Sequence, residues 1–302
     1  MTAPTLTPVS PSPSTRPLLD RFGATGRLLR RAGGVFGILV VLTLVVLALV
    51  PDVAPYGPAT QEIENRLQGP SLDHPFGTDH LGRDLLSRLV FGVRIELSVA
   101  LPAIALALVC GLVLGLVAGY VGRWLDTVIV TLVDTIQSFP AVILALVLLV
   151  LLGPSTGAIT LVLAIGFIPS YARTSRALML ATKENPYVEA ERSIGAGPVR
   201  IITVHILPNM IAPVFILLAM DLPSVIAIEA GLSFLGLGIQ PPTPSWGVIL
   251  SDGFQYIRQS PWAIVAASGV LVVTTLGLTL LGEALRDTLD PRLARLTGRG
   301  RP

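Results

Sequence analysis

The sequence predicts an all-α membrane protein with six transmembrane helices. Of its 302 residues, 52% are apolar and only 13% are charged, whereas a soluble domain carries about 25% charged residues. The apolar residues form long runs, and a run of about 20 residues crosses a bilayer as a helix. Because a segment in lipid satisfies its own backbone hydrogen bonds, each run is predicted to be helical.

Six runs are long enough to span a membrane. Pro169, Pro213 and Pro223 interrupt the fourth and fifth runs, so these two are the hardest to delimit. The predicted spans are Gly33–Val50, Leu97–Tyr120, Val128–Leu152, Gly157–Tyr171 with an amphipathic extension to Ala181, Ile206–Leu235 and Trp262–Gly282.

The positive charges predict the orientation. With the N-terminus inside, 16 of the 21 lysines and arginines lie on the inner side, so both termini are predicted to be cytoplasmic. Arg30 and Arg31 before an apolar run also resemble a signal peptide, but this run is longer than a usual signal-peptide core, which favours a permanent span. The predicted divisions are a cytoplasmic segment at 1–32 (disordered over 1–17), the first span at 33–50, an outer loop with an amphipathic helix at 51–93, a five-span domain at 94–283 and a cytoplasmic tail at 284–302.

Several classes of function are excluded by what the sequence lacks. The net charge of +2 is small, and the arginines flank apolar runs, which argues against nucleic-acid binding. Cys110 is the single cysteine, so no disulfide framework is predicted. No phosphate-binding loop, His-Glu-x-x-His or Gly-x-Ser-x-Gly element occurs. We therefore predict no catalytic residues, no cofactor and no metal in this chain.

Three glycines in the second run indicate close helix packing. Gly111, Gly115 and Gly119 are four residues apart, so they share one helix face. Small residues on one face let another helix backbone approach in lipid. The neighbouring helix belongs either to this chain or to another subunit, and packing within the chain is favoured.

Polar residues within the runs have two interpretations. Asp134 and Gln137 lie in the third run, and Asp221 and Glu229 lie in the fifth. A carboxylate in a membrane is costly, so it is expected to face the interior of the bundle, a watery cavity or a cationic partner. These four residues are candidates for a translocation path. The alternative is that they form ion pairs or protonated, hydrogen-bonded acids near an interface.

The outer loop carries a cluster of histidines and carboxylates. His74, Asp79, His80 and Asp84 invite a metal-site interpretation, but their spacing matches no usual ligand pattern. A turn at Phe76-Gly77 is favoured instead, followed by an amphipathic helix from about Arg83 that lies on the membrane surface or against the bundle. Leu85, Leu86, Leu89 and Val90 would form its apolar face.

A polar segment between the fourth and fifth runs is the most informative feature. Asn185 is placed to cap a helix, and Pro186 is favoured at its first position. Gly195 suits the left-handed residue that ends a helix. A second helix is predicted from Gly197-Pro198 to the Leu207-Pro208 break. A capped, charged element between long apolar runs is well placed to bind a partner outside the membrane.

The segment resembles the signature of inner-membrane permease subunits of bacterial ABC importers. That signature is Glu-Ala-Ala, three residues, Gly, nine residues and Ile-x-Leu-Pro. Glu189 and Ala190 begin it, Gly195 follows at the required distance, and Leu207 and Pro208 close it. Two positions depart from the signature: Glu191 replaces the second alanine, and His205 stands where isoleucine is common.

Other motifs resemble the dipeptide/oligopeptide/nickel branch of these permeases, specifically its second, C-type subunit. They are His74-Pro-Phe-Gly-Thr-Asp79, Gly82-Arg-Asp84, Ser87-Arg88, His205-Ile-Leu-Pro-Asn209, Glu229-Ala-Gly-Leu-Ser-Phe-Leu-Gly-Leu-Gly238, Pro241-Pro242 and Ser245-Trp-Gly247. The resemblance implies a type I ABC importer permease fold and import of dipeptides, oligopeptides or a related small ligand.

The resemblance also implies partners. These are a homologous permease subunit, two cytoplasmic ATPase subunits that bind ATP and Mg, and an extracytoplasmic substrate-binding protein. Residues from Glu189 to Gly195 would form the coupling helix that docks on an ATPase.

Two other classes of function stay open at this point. A secondary transporter or channel without ATP would predict inverted repeats and midplane ion-coupling groups, and neither is evident. An intramembrane enzyme would need a catalytic constellation, for which Asp134 and Asp221 are the available carboxyl pair.

Overall fold

The computed structural model describes residues 32–289, which form helices joined by short loops and one long loop. The predictions for residues 1–17 and for most of the C-terminal tail lie outside the described residues. The helices are α1 (Ala32–Leu49), α2 (Leu85–Val121), α3 (Arg123–Gln137), α4 (Ala141–Leu152), α5 (Thr156–Lys183), α6 (Pro186–Ser193), α7 (Pro198–Phe234), α8 (Trp246–Gln255) and α9 (Trp262–Leu289). Short 3-10 turns at Pro51–Val53 and Ile63–Asn65 lie in the long loop.

Within residues 32–289, five helices are long and apolar enough to cross a membrane: α1, α2, α5, α7 and α9. The helices α3 and α4 together supply a sixth crossing if the bent pair is one span. No strand occurs among the described residues, apart from an isolated bridge between Thr78 and Asp84. The prediction of an all-α membrane protein is confirmed, with five spans, or the predicted six if the bent pair is one span.

The third span is not the continuous helix that the sequence predicted. It is broken into α3 and α4, which meet at an angle of 90° around Pro140. Proline lacks an N–H donor and disfavours a helical conformation at the residue before it. The Ser138 hydroxyl ends α3 by donating to Thr135 O (2.7 Å). By contrast, α5 and α7 continue through Pro169, Pro213 and Pro223.

The predicted amphipathic helix is the first part of the second span. The helix α2 begins at Leu85 and runs without a break to Val121, so the predicted boundary at 93/94 falls inside it. Asp84 caps α2 by accepting a hydrogen bond from Ser87 N (2.7 Å). Leu85 and Leu89 are buried, so this part of α2 lies against the bundle.

The pairing of α2 with α5 forms the largest helix interface of the bundle. The three predicted glycines lie along it. A β-carbon on Gly111 would lie 2.5 Å from Tyr171 Cβ, and one on Gly115 would lie 2.4 Å from Ala172 O. Gly119 faces Met179 in the same way. The glycine stripe therefore packs α2 on α5 within this chain.

Candidate functional site

The polar segment between α5 and α7 contains the first of the two short helices that the sequence predicted, α6. Pro186 opens α6, as expected, but the Asn185 side chain does not cap it. Instead, Asn185 Nδ2 donates to Thr182 O (3.0 Å) and so satisfies the end of α5. Gly195 ends α6 with φ +86°, and Ala196 N donates to Glu191 O (3.0 Å). This is the glycine-dependent helix ending that the sequence indicated.

The second predicted helix is not a separate element, because the break predicted at Leu207-Pro208 is absent and the helix continues into a membrane span. From Pro198, α7 continues to Phe234, and its residues Ile201–Ile206 form a π-helical turn. Single π-turns inside helices are frequent at functional sites. The predicted signature residues Leu207 and Pro208 follow this turn, where the α-helical part of α7 resumes.

An apolar cluster lies between α6 and the spans. Val188 is the buried side chain of α6, with 0% of its surface exposed. It belongs to a cluster with residues of α2, α5 and α7, so α6 packs against three spans. The buried members are Leu116, Met179, Val188, Ile201, Ile206 and Met210, and Leu207 packs against them.

Polar contacts fix the same segment from other sides. The Glu191 carboxylate lies 3.4 Å from His205 Nε2. The Arg192 guanidinium lies over the Tyr120 ring, 5.7 Å from its centroid. Lys183 Nζ donates to Gly119 O (2.8 Å).

Apolar side chains are exposed around the turn that joins α6 to α7. Ile194 is 79% exposed and Val199 is 73% exposed, on either side of the Gly195 turn. The predicted contact residues Glu189 and Ala190 are exposed as well. Exposed apolar groups outside the spans are typical of protein interaction sites. Sequence reasoning missed Val188 and Ile194, although each is an apolar residue in an otherwise polar segment.

The four predicted path residues have different surroundings. Asp134 and Gln137 are exposed on α3. Asp221 of α7 is half-buried beside the Tyr171 hydroxyl, although the two lack the geometry of a full hydrogen bond. Glu229 is completely buried, and its Oε1 accepts a hydrogen bond from Ser233 Oγ (2.6 Å). The structure does not bring these four residues to one place.

The polar face of α3 extends beyond the predicted residues. Thr127, Thr131, Asp134 and Ser138 follow helical spacing, so they share one face, and all four are exposed. On the opposite side of the helix, Asp126 binds Arg176 of α5 through two hydrogen bonds of 2.5 and 2.6 Å. The polar face is therefore exposed on a helix that the contact between Asp126 and Arg176 holds against the bundle.

The histidine and carboxylate cluster of the long loop is a structural network. Asp79 accepts hydrogen bonds from Arg83 Nε (2.6 Å) and from Arg88 Nη1, and Asp252 of α8 lies 3.4 Å from Arg83 Nη2. Burial raises the pKa of the Asp79 carboxyl, but the charges of Arg88 and Arg83 and two backbone N–H groups outweigh burial and hold the pKa below its ordinary value.

A metal ion is poorly suited to this network. Ligand atoms of Asp79, His80 and Asp252 lie within 4.8 Å of one another. Two guanidinium groups already neutralise both carboxylates, so a divalent cation would meet like charge there. His74, which the sequence grouped with these residues, instead contacts Asp84 at 3.0 Å. The network joins the long loop, α2 and α8.

These features define a helical, multi-pass membrane protein in which a short polar helix, α6, packs against the spans. The chain belongs to the family of binding-protein-dependent transport system inner membrane components, whose sequence profile matches residues 111–295.

Relatives match most of the chain. The dipeptide transport system permease protein DppC of Alkalihalophilus pseudofirmus is 35% identical over 94% of this chain and 96% of its own length. The protein of the same name from Escherichia coli is 40% identical over 87% of this chain and 90% of its own length. A putative peptide transport system permease protein of Brucella suis is 37% identical over 88% of this chain and 90% of its own length.

A solved structure has the same fold. A chain of the MetNI methionine ABC transporter in an inward-facing conformation aligns with a TM-score of 0.55 and 21% identity, and the alignment covers 68% of this chain and 98% of that chain. The prediction of an ABC importer permease fold is confirmed.

Proposed function

We propose that this chain is a permease subunit of an ATP-driven importer of dipeptides or oligopeptides in the cytoplasmic membrane of a bacterium. The family and the names of its relatives support transport of a peptide. The lysine and arginine distribution supports cytoplasmic termini and a cytoplasmic α6. A related small ligand is the alternative cargo.

The proposed assembly contains partners that the chain needs for transport. A homologous permease subunit completes the path, a substrate-binding protein delivers cargo outside, and two ATPase subunits bind ATP and Mg inside. No phosphate-binding loop occurs in this sequence, so nucleotide hydrolysis is assigned to those ATPase subunits. The uncovered Ile194 and Val199 side chains, beside the exposed Glu189 and Ala190, supply the docking surface for an ATPase.

In the proposed mechanism, α6 is a rigid lever. The observation that carries this proposal is the burial of Val188 in a cluster shared by α2, α5 and α7. Well-packed clusters move as units rather than deform. Closure of the two ATPase subunits would displace α6, and α7 would tilt because it runs without a break from the cluster across the membrane. Access to the path then switches from one side to the other.

The polar face of α3 is the proposed wall of the path. Asp134 is exposed among hydroxyl side chains on a helix within the membrane domain, and Gln137 is exposed at the end of the same helix. Exposed polar groups at membrane depth face water or a polar partner, since lipid offers them no hydrogen bonds. Glu229 is completely buried, and Asp221 lies beside Tyr171, so both are weaker candidates.

Reconstitution tests the proposal. Vesicles that contain this chain, its companion permease, both ATPase subunits and the binding protein should accumulate a labelled dipeptide or oligopeptide only with ATP and Mg inside. The matched control replaces one ATPase subunit with a variant that cannot hydrolyse ATP. Accumulation without functional ATPase subunits would contradict the proposal and favour an ATP-independent transporter.

A further inference from the structure

Two carboxyl groups meet inside the bundle, away from the coupling segment. Glu96 of α2 is 1% exposed and Glu229 of α7 is 0% exposed. Their side chains contact each other. Among residues 32–289, neither carboxyl forms an ion pair with a lysine, an arginine or a histidine. Within this part of the chain, the contact therefore has no cation that pairs with it.

One oxygen of each carboxyl group is already satisfied by the surrounding helices. Glu96 Oε1 accepts a hydrogen bond from Trp246 N (2.9 Å), the first residue of α8. Glu229 Oε1 accepts one from Ser233 Oγ (2.6 Å), and Ser233 Oγ accepts one from Ile239 N (2.8 Å). The remaining atoms, Oε2 of both glutamates, are buried and have no hydrogen-bond donor among the described residues.

The chemistry of such a contact requires a proton. Two ionised carboxylates in contact inside an apolar bundle would repel each other and would lose their hydration. Two neutral acids would forgo the favourable interaction of an anion with the N-terminal N–H groups of α8. One proton shared by two carboxyls satisfies both requirements, because the protonated Oε2 donates to its neighbour.

We propose that Glu96 and Glu229 share a single proton and that this hydrogen-bonded carboxyl pair positions α8 against α2 and α7. The surrounding packing is close. Trp246 is buried, and its Nε1 donates to Leu89 O (3.0 Å). A β-carbon on Gly247 would lie 2.3 Å from Ala230 O. The proposal does not depend on the transported ligand.

Infrared spectroscopy of the reconstituted protein tests the shared proton. With glutamate labelled with ¹³C, the wild type at neutral pH should show the carbonyl band of a protonated glutamate, shifted downward in heavy water. Each isosteric variant, Glu96→Gln or Glu229→Gln, should lose this band because the amide N–H₂ donates to the remaining carboxylate. The control Glu64→Gln, at an exposed position of the long loop, should keep the band. A wild-type spectrum without it overturns the proposal, whatever the variants do.

A stability cycle tests the positioning role. Glu96→Ala and Glu229→Ala should each lower Tm, because each leaves a lone buried carboxyl group. The double variant should lose less than the sum of the two losses, and the two glutamine variants should stay close to the wild type in Tm. Additive losses, or glutamine variants as damaging as the alanine variants, would overturn the positioning role.

Discussion

The Glu191 carboxylate of α6 lies 3.4 Å from Nε2 of His205, in the π-helical turn of α7. These are the two positions at which the segment departs from the permease signature, and the structure places them in contact. The contact joins α6 to α7 beside the apolar cluster around Val188, although the two atoms lack hydrogen-bond geometry. In the proposed lever, it helps to transmit the displacement of α6 to the span.

Separate and combined replacement of this pair tests its role. We expect Glu191→Ala and His205→Ile each to lower ATP-driven peptide uptake by up to about fivefold, because a partly exposed pair contributes up to about 1 kcal/mol. The double variant has the usual signature residues at both positions and should recover most of the uptake. Glu64→Ala, at an exposed position of the long loop, is the control and should leave uptake unchanged. Uptake losses that multiply in the double variant would show that the two side chains act independently.

Removing the buried side chain of α6 should uncouple the lever. Val188→Ala opens a cavity in a fully buried site, at a cost on the order of 1–3 kcal/mol. We expect ATP hydrolysis by the assembled complex to continue while the amount of peptide transported per ATP falls several-fold. The control is Val272→Ala in α9, at a site that is 60% exposed, which should leave both transport per ATP and thermal stability unchanged. Unchanged transport per ATP in Val188→Ala would contradict the role of the cluster.

The sequence predicted the ends of α6 because local rules decide them. Proline at the first position and glycine at the left-handed position act within a few residues, so Pro186 and Gly195 are informative without any tertiary contact. The break at Pro140 was not predicted. A proline inside a span need not break the helix, as the continuous helices α5 and α7 show. Whether a proline breaks a helix or lies within a continuous one depends on tertiary packing, which the sequence alone does not show.

Contacts between distant residues were beyond the sequence for a similar reason. Glu229 was predicted as a path residue from its charge within an apolar run. Its contact with Glu96 joins positions 133 residues apart, so no local pattern could indicate it. The roles of the path and coupling residues stay predictions, which the experiments described here test.

Gly115 should tolerate no larger residue. A β-carbon there would lie 2.4 Å from Ala172 O, which is backbone and has little freedom to move. We expect Gly115→Ala to lower Tm by several degrees in detergent, because overpacking costs about 1–3 kcal/mol. Gly166→Ala in α5 is a matched control, since a β-carbon there meets nothing within 4 Å. Equal Tm values for the two variants would contradict the close packing of α2 on α5.

Acid should weaken the loop network through Asp79. Because the pKa of Asp79 is lower in the folded state, its ion pairs contribute their full stability above the ordinary value of 3.8. That contribution is lost as the pH falls through the lower folded-state pKa. Asp79→Asn leaves two buried arginines without this partner, so we expect a loss of about 3–5 kcal/mol at neutral pH.

The test is the difference in Tm between the wild type and Asp79→Asn as a function of pH. This difference should be constant at neutral pH and should shrink below about pH 4. Asp52→Asn, at an exposed position, is the control and should stay close to the wild type throughout. A difference that grows in acid would have the wrong sign for a carboxylate stabilised by arginine.

Cross-linking from α6 tests the central claim most directly. In a chain with Cys110→Ala, Ile194→Cys places one thiol on the exposed tip beside Gly195. In the assembled transporter, a short thiol-specific cross-linker should join residue 194 to an ATPase subunit, and this cross-link should stop ATP-driven uptake until it is cleaved. Leu72→Cys, at an equally uncovered site in the long loop, should give no such product. Residue 194 labelled only from the exterior, or cross-linked to the binding protein and never to an ATPase, would contradict the account.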